Sequence, residues 1–552
     1  MRSIRIELLG QPDIDVDVGT PVRDVLPPIT ADGLPVVGAM VNNDAVSLGF
    51  PLIAHAQVTP LTAADNHGWR IIRWSLSFLL GKAFHTVFPS IPYRVRHSMG
   101  NGLFCTADWP DGANPVANVA RIKAEMQALI AADTPIDYDI VSYADALRIF
   151  ESSQQFDKLH LLNHRNPPYV TIIRCGHFFD LAQEPIVHRA GLLQPFDLIP
   201  YESGMVLRLP LRSHPRQLGD WSPNPKLFAV YQEHIAWGRI LGVTSVGRLN
   251  LLIGRGGIDD FIQTAEALHE KKLAQIAAQI TGRPSAMRLI LVAGPSSAGK
   301  TTFAKRLCTH LRVNGLQPLL ISTDDYFVGD DLNPRDAGGN LDYEHIESMD
   351  LHRLNGDVAA LLDGREIHPR AFDFKKKQGY DRGESIRLPS AGVIVMEGIH
   401  CLNPKLTADI SDACKFLVYV SALTQLGIDS NSRIATTDNR LIRRMVRDNA
   451  HRGYSALATL RRWPSVLHGE QRWIFPFQNR ADAIFNSALD YELAVLKPLA
   501  LPLLNQIKAT ESEFVEARRI SGFLQNFVDL PETAVPGYSI LREYIGGSQL
   551  KY

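Results

Sequence analysis

The segment LVAGPSSAGKTT, residues 291–302, limits what this chain can fold into more than any other stretch of it. Gly294, four residues, and then Gly299, Lys300 and Thr301 fit the pattern GxxxxGK[ST] without exception. The apolar run RLILVA before the loop predicts a strand that is buried on both faces, and TTFAKRLCTHLRVNG after it predicts a helix. Because strand, loop and helix are the context that the motif requires, we expect a phosphate-binding domain built on a parallel sheet.

The residue types in the loop indicate what it binds. Glycines let backbone N–H groups surround phosphate oxygens, and the N-terminus of the following helix adds partial positive charge. Lys300 is then expected to reach the β- and γ-phosphates, and Thr301 is expected to hold Mg²⁺, so ATP and Mg²⁺ are the predicted cofactors. The predicted nucleotide-binding residues are Gly294, Pro295, Ser296, Ser297, Ala298, Gly299, Lys300, Thr301 and Thr302.

Two carboxylates stand where later strands are predicted to end. Asp324 follows the run QPLLIST, and Glu397 closes the buried run GVIVME. Open α/β sheets bind ligands beside the carboxyl ends of their strands, so Asp324 is placed to accept a proton from an attacking hydroxyl. The alternative for Asp324 is a helix N-cap or a turn. Glu397, together with Thr301, is the predicted Mg²⁺ site.

Five arginines mark the segment NRLIRRMVRDNAHRG, residues 439–453, which has a helical pattern. Arg440, Arg444 and Arg447 share one face of that helix. We expect a lid that closes over phosphates and excludes water, and the alternative is a solvated basic face.

The segments STDDYF, LDYEHIESMD, PRAFDF, VIVMEGIH and RLIRRMVRDNAHRG resemble, in this order, the motifs of the uridine kinase and phosphoribulokinase family over about residues 286–500. The resemblance implies transfer of the γ-phosphate of ATP to a sugar hydroxyl, most simply that of a nucleoside. It implies Asp324 as general base, with Lys300, Arg444 and Arg447 as the other catalytic residues. The substrate-binding residues that it implies are Asp342, Phe372, Asp373, Phe374 and Arg452.

The chain departs from that family where the base of a nucleoside would be read. Lys377 stands near the position of a histidine in uridine kinases, and Tyr454 replaces the last lid arginine. The residues for phosphate transfer are therefore kept, and the residues that would recognise the base are changed. The three lysines 375–377 leave two alternatives, an anionic acceptor such as a phosphorylated sugar, or a solvated loop.

The N-terminal half resembles parts of tRNA synthetases. IRIELL and DVDV alternate apolar and polar residues as a half-buried hairpin does, and the order of elements to about residue 62 resembles the β-grasp TGS domain of threonyl-tRNA synthetase. The next 150 residues resemble the second additional domain of threonyl- and alanyl-tRNA synthetases, where a HxxxH helix and a later Cys and His suit zinc. Trp74 and Phe78 replace the two histidines, and Cys175 and His177 are what remains, so we expect the fold without the editing chemistry.

The sequence thus predicts a multidomain α/β and α+β protein. It combines an N-terminal β-grasp, an α+β editing-like domain and a C-terminal P-loop NTPase whose parallel β-sheet is flanked by helices. The helical connector is compatible with a rigid link and with a homo-oligomer surface. The predicted units are 1–62 (TGS-like β-grasp), 63–215 (synthetase-like α+β), 216–283 (helical connector), 284–507 (P-loop kinase-like) and 508–552 (C-terminal helix and tail).

Composition narrows the range of functions that the protein can have. The net charge is −1, so no overall basic surplus points to nucleic acid, and no apolar run approaches the ~20 residues of a membrane span. The five cysteines form no CxxC pair, and the first residues lack the apolar core of a signal peptide, so we expect a cytoplasmic protein. The predicted function is an ATP-dependent small-molecule kinase. The alternative is an ATP-binding, RNA-associated regulatory protein that uses its synthetase-like half.

Overall fold

The structure, a computed structural model, describes residues 2–284, 287–336, 338–373 and 376–550. Phe374, one of the predicted substrate residues, lies outside the described residues. Within the described residues, no helix is both long and apolar enough to cross a membrane. The chain has the predicted fold class, with α+β units followed by a parallel sheet flanked by helices.

The chain begins with a five-stranded mixed sheet in the order β2-β1-β5-β3-β4. In β1 every second residue is buried, as the alternation in IRIELL predicts. β1 pairs with β5 in parallel, while the other pairs are antiparallel. The segment VRDVL forms a short 3₁₀ turn, Val22–Asp24. The strands are β1 Ser3–Leu8, β2 Ile14–Asp17, β3 Val36–Val41, β4 Asp44–Val46 and β5 Ala56–Thr62.

The next unit packs four helices against two antiparallel sheets, ordered β11-β12-β7-β6 and β10-β9-β8. Helix α1 carries the two positions where the resembling family has histidines. One of them, Phe78, is buried, and its ring lies 5.4 Å from that of Phe178. The elements are α1 Asn66–Val87, β6 Tyr93–Met99, β7 Gly102–Ala107, α2 Pro115–Ala131, β8 Asp137–Ser142, α3 Tyr143–Ser152, α4 Phe156–Arg165, β9 Tyr169–Cys175, β10 Phe178–Leu181, β11 Asp197–Tyr201 and β12 Gly204–Arg208.

Three connecting helices follow: α5 Pro225–Leu241, α6 Val246–Gly254 and α7 Ile258–Thr281. Helices α6 and α7 join one apolar core with α3 and α4 before them and the P-loop unit after them, whereas Val230 and Tyr231 of α5 pack in a second core of the P-loop unit. The fit is close, since a Cβ on Gly247 of α6 would lie 2.8 Å from the side chain of His160. Glu270 of α7 also pairs with Arg306, at 2.7 Å. The connector is therefore part of the packed core.

The P-loop unit is built on a parallel sheet in the order β14-β17-β13-β18-β19. Every residue of β13 and β17 is buried, which accounts for their unbroken apolar runs. Its elements are β13 Leu289–Ala293, α8 Lys300–Val313, β14 Gln317–Ser322, α9 Leu351–Leu362, β15 Arg370–Asp373, β16 Gln378–Asp381, β17 Gly392–Glu397, β18 Lys415–Ser421, α10 Thr436–Arg452, α11 Ala456–Trp473, β19 Ala483–Asn486 and α12 Glu492–Leu504.

The C-terminal segment returns to the body of the protein. It contains α13 Phe514–Leu524 and the short helix α14 Arg542–Ile545. Ile540, Leu541 and Tyr544 are completely buried in the main core. This segment is thus an integral part of the P-loop unit, which the polar, Gly-rich sequence of its last residues did not reveal.

Candidate active site

Two glycines shape the phosphate-binding loop between β13 and α8. A Cβ on Gly294 would lie 2.0 Å from the carbonyl oxygen of Val420 in β18, closer than any side chain can approach. Gly299 has φ +83° immediately before α8, a backbone conformation that disfavours other residues. The loop therefore has the conformation that its glycines predict, and it ends at the N-terminus of a 14-residue helix.

The predicted metal ligands lie side by side. The hydroxyl of Thr301 donates a hydrogen bond to Oε1 of Glu397 at 3.2 Å, and the hydroxyl of Ser322 donates to the same oxygen at 3.0 Å. Burial and the nearby Asp324 carboxylate raise the pKa of Glu397 to about 7, against the opposing effect of Lys300. Because Mg²⁺ prefers oxygen ligands, a hydroxyl and a carboxylate from α8 and β17 fit it.

Asp324 lies in a 3₁₀ turn that begins directly after β14, and its side chain is exposed. Its backbone N–H donates to the Ser322 hydroxyl at 3.3 Å. The sheet order makes β14 the neighbour of β17, so Asp324 and Glu397 leave the sheet at the same edge as the loop. A carboxylate that is open to solvent at this edge is accessible to an acceptor hydroxyl.

Helix α10 runs along the loop, but not all of its arginines face outward. Arg440 and Arg443 are completely buried and are paired with Glu470 and Glu492, respectively. The alternative of a solvated basic face therefore does not hold for Arg440, because this side chain is buried and donates to the Ser296 carbonyl of the loop at 3.2 Å.

The arginines that were predicted to be catalytic or substrate-binding lie further along α10. Arg444 donates to the Ser296 hydroxyl at 2.8 Å and so contacts the loop itself. Arg447 donates to Asp448 at 2.9 Å, and the guanidinium of Arg452 lies 3.6 Å from the same carboxylate. These three arginines form a charged group beside the loop, held together by one aspartate.

The predicted substrate residues lie around the turn of Asp324. The ring of Phe372 lies 5.8 Å from that of Phe327, which follows this turn, and Asp373 is the last residue of β15. Asp342 accepts a hydrogen bond from the backbone of Glu344 at 3.1 Å. Lys377 forms an ion pair with Asp330 and donates to the Tyr343 hydroxyl at 3.1 Å, so its charge already has a partner.

Three residues that contact the loop were not found from sequence. Glu470 accepts a hydrogen bond from the backbone N–H of Ser296 at 3.1 Å. Glu543 accepts from the backbone N–H and the hydroxyl of Thr302, at 3.1 and 2.6 Å. The hydroxyl of Tyr544 donates to the carbonyl of Ser297 at 3.0 Å. No spacing rule links positions 470, 543 and 544 to the loop, since the folded chain alone brings them together.

Residues 289–494 match the model of the Phosphoribulokinase / Uridine kinase family. The match covers the loop, both carboxylates and α10, so it includes each predicted catalytic residue. A solved structure described as a possible uridine kinase from Bacillus stearothermophilus is 20% identical. It covers 39% of this chain and 98% of that chain, with a TM-score of 0.28.

The N-terminal half is similar to threonine–tRNA ligases. The ligase of Lawsonia intracellularis is 28% identical over 165 residues, which is 30% of this chain and 26% of the ligase. That of Solidesulfovibrio magneticus is 31% identical over 165 residues, 30% of this chain and 25% of the ligase. The chain thus spans about a quarter of the length of these curated relatives.

The synthetase-like half contains few groups that could hold a metal. Cys175 is completely buried, and burial raises the pKa of its thiol. Phe78 packs on Phe178 at one of the positions where a histidine would be needed. Within the residues that the structure describes, no group of three or more His, Cys, Asp or Glu side chains is arranged to hold a metal ion.

Proposed function

We propose that this protein is an ATP-dependent kinase that transfers the γ-phosphate to a sugar hydroxyl of a nucleoside. The observation that carries the proposal is the meeting of four side chains at one edge of the parallel sheet. Lys300 and Thr301 come from the loop after β13, Glu397 from the end of β17 and Asp324 from the turn after β14. Phosphate binding, metal binding and proton acceptance are thus available within one crevice.

Each side chain has a role that follows from its chemistry. Asp324 accepts the proton of the attacking hydroxyl, because it is a carboxylate at the open side of the crevice. Lys300, Arg444 and Arg447 stabilise negative charge on the transferred phosphoryl group. Thr301 and Glu397 would hold Mg²⁺, which when bound supplies further positive charge beside the phosphates.

The acceptor is proposed from the residues beside Asp324. Phe372 offers an aromatic face for a base, and Asp342 is a carboxylate that can accept hydrogen bonds from ribose hydroxyls. The pairing of Lys377 with Asp330 removes one of the three lysines that would favour an anionic acceptor. An uncharged nucleoside is therefore favoured over a phosphorylated sugar.

The test is a transfer assay with purified full-length protein, γ-labelled ATP and Mg²⁺. Nucleosides, nucleotides and pentose phosphates are supplied separately as acceptors. We expect label on a nucleoside and little label on the phosphorylated compounds. Label only on a pentose phosphate would show that the acceptor is a phosphorylated sugar. The proposed reaction, phosphate transfer from ATP to a hydroxyl, would still stand.

No transfer to any acceptor would contradict the kinase proposal. The RNA-associated regulatory protein would then be favoured, because the similarity to threonine–tRNA ligases supplies its only support. Binding of tRNA to the full-length chain, measured over a range of salt concentrations, would then be the next experiment.

A further inference from the structure

A cavity of about 100 Å³ lies between the two halves of the molecule. One wall is helix α1 of the synthetase-like unit, with Arg70 and Arg73. The opposite wall is the segment that leads into α10, with Arg433, and the first turn of α10, with Asp438. Arg519 of α13 closes the cavity on a third side.

Two of the four arginines in this cavity have carboxylate partners. Arg519 donates to both oxygens of Asp438, at 2.7 and 2.8 Å, and also lies 3.8 Å from Glu184. Arg70 donates to Glu516, which lies outside the cavity lining, at 2.7 Å. The carboxylates around the cavity are thus engaged by this pair of arginines.

The other two arginines of the cavity, Arg73 and Arg433, differ from this pair in their partners. Within the described parts of the chain, neither has a carboxylate oxygen at ion-pair distance, and Arg73 donates only to the Ser98 hydroxyl, at 3.3 Å. Nε of Arg433 and Nε2 of Gln183 are buried and have no hydrogen-bond partner among those residues. Both atoms are donors, so the cavity lacks an acceptor.

The N-terminus of helix α10 also presents backbone N–H donors to this cavity. Its N-cap is Ala435, whose methyl side chain cannot accept a hydrogen bond from the first turn. Ala435 and Thr437 both line the cavity. The 17-residue helix therefore directs an end without a side-chain cap at the same space, and the Asp438 carboxylate of its first turn is engaged by Arg519.

We propose that this cavity binds a small oxyanion of the phosphate class, held by Arg73, Arg433 and Gln183. Its volume equals that of about three water molecules and is below the ~300 Å³ of sites for drug-sized ligands. A bound oxyanion would neutralise two half-buried arginines whose charge is only partly solvated. Since α10 also carries the arginines beside the phosphate-binding loop, the anion would link the N-terminal half to the candidate active site.

The experiment is calorimetric titration of inorganic phosphate into the full-length protein that carries Lys300→Ala, which weakens phosphate binding at the loop. Arg433→Met is then added, and Arg73→Met is a second variant from the opposite wall. Arg148→Met is the matched control, because this arginine is exposed and paired with Asp145. We expect the Lys300→Ala protein to bind phosphate, Arg433→Met or Arg73→Met to weaken that binding about tenfold or more, and the control to leave it unchanged.

A measurement of melting temperature without phosphate separates this proposal from a structural role of Arg433. We expect Arg433→Met to melt no lower than its parent, because it removes a half-buried charge that, among the described residues, has no carboxylate oxygen at ion-pair distance. Phosphate binding that is absent, or that is equal with and without Arg433, would overturn the proposal and leave water as the occupant of the cavity.

A second, independent observation concerns the C-terminal segment. Glu543 accepts hydrogen bonds from the first turn of α8 at Thr302, and Ile540 lies against Gly299, where an added Cβ would be 2.8 Å away. The N–H groups of this turn are the donors that a helix offers to phosphate. A carboxylate thus lies where a nucleotide phosphate would be bound.

We infer that Glu543 is an internal competitor of the nucleotide, an inference that rests on the proposed function. A phosphate that approaches the Thr302 N–H must displace the carboxylate, because one N–H serves one strong acceptor and two anions repel. Ile540 and Tyr544 are completely buried, whereas the side chain of Glu543 is only partly buried. Rotation of this one side chain can therefore release the turn without unfolding the segment.

The test compares binding of a fluorescent ATP analogue by the wild-type protein, Glu543→Gln and Glu543→Ala. Glu532→Gln is the matched control, because it removes the same charge from the same segment, and among the described residues its side chain forms no hydrogen bond or ion pair with the loop. We expect the analogue to bind about tenfold tighter to both Glu543 variants and unchanged to the control. Equal or weaker binding by the Glu543 variants would overturn the inference, whereas no binding by any protein would instead contradict the proposed function.

Discussion

The hydroxyl of Thr301 lies 3.2 Å from Oε1 of Glu397, so the first turn of α8 and the last residue of β17 share a hydrogen bond across 96 positions of sequence. This contact brings a neutral hydroxyl oxygen and a carboxylate oxygen together beside the phosphate-binding loop. It follows from the sheet order, since β13 and β17 are neighbours and end at the same edge.

Glu397→Gln should keep the shape of this contact and remove its charge. We expect affinity for Mg²⁺ in the presence of ATP to fall about tenfold or more, because an amide is a poorer ligand for Mg²⁺ than a carboxylate. A titration of Mg²⁺ in the transfer assay measures this change. Glu366→Gln, at an exposed residue, is the control and should leave the titration unchanged. An unchanged titration for Glu397→Gln would remove this residue from the proposed metal site.

Gly294→Ala should abolish nucleotide binding. Its Cβ would lie 2.0 Å from the Val420 carbonyl, and this oxygen belongs to a central strand that has no room to move. Gly356→Ala in α9 is the matched control, because a Cβ there meets no atom of the described residues within 4 Å. The control should bind nucleotide normally and should unfold at the same or a higher temperature. Normal binding by Gly294→Ala would mean that the loop adopts another conformation.

The ion pairs between the two halves should make stability depend on pH. Burial alone would raise the pKa of Glu516, but Arg519 and Arg70 outweigh it and hold that pKa well below its usual range. Its contribution is therefore present above the unfolded-state pKa, about 4.3, and is lost as pH falls below that value. We expect the melting temperature to fall between about pH 5 and 3, and to fall less in Glu516→Gln. Parallel curves for the two proteins would contradict this assignment.

Changing Cys175 and His177 together to Ala should leave phosphate transfer within about twofold of wild type. Cys175 is buried, so a modest loss of stability is expected from the missing sulfur. The transfer assay at a temperature well below unfolding separates the two effects. A large loss of transfer in a folded protein would show that the synthetase-like half takes part in the reaction.

Sequence patterns predicted the parts of the site that are local. The loop, its helix and the buried strands follow from spacing and apolar runs, and the match of residues 289–494 to the kinase family agrees with them. Asp324 and Glu397 were selected because strand ends in open sheets mark ligand crevices, and their roles in catalysis and metal binding stay predictions.

Sequence patterns did not predict contacts that depend on packing. Arg440 carries the same charge as its neighbours on α10, and only the position of Glu470 on α11 makes it a buried brace. Glu543 reaches Thr302 across 241 residues, which no helical or strand period can encode. The Phe78–Phe178 contact was not predicted, because the sequence shows that Phe78 replaces a histidine but not which residue packs against it.

The proton acceptor is the central claim, and Asp324→Asn tests it most directly. Transfer from ATP to the accepted nucleoside is measured for the wild-type protein, for this variant and for Asp363→Asn, an exposed control that pairs with Arg365. We predict a loss of transfer of about 10²- to 10⁴-fold in Asp324→Asn, with affinity for ATP kept and the control unaffected. Transfer near the wild-type rate in Asp324→Asn would contradict the assignment of the general base.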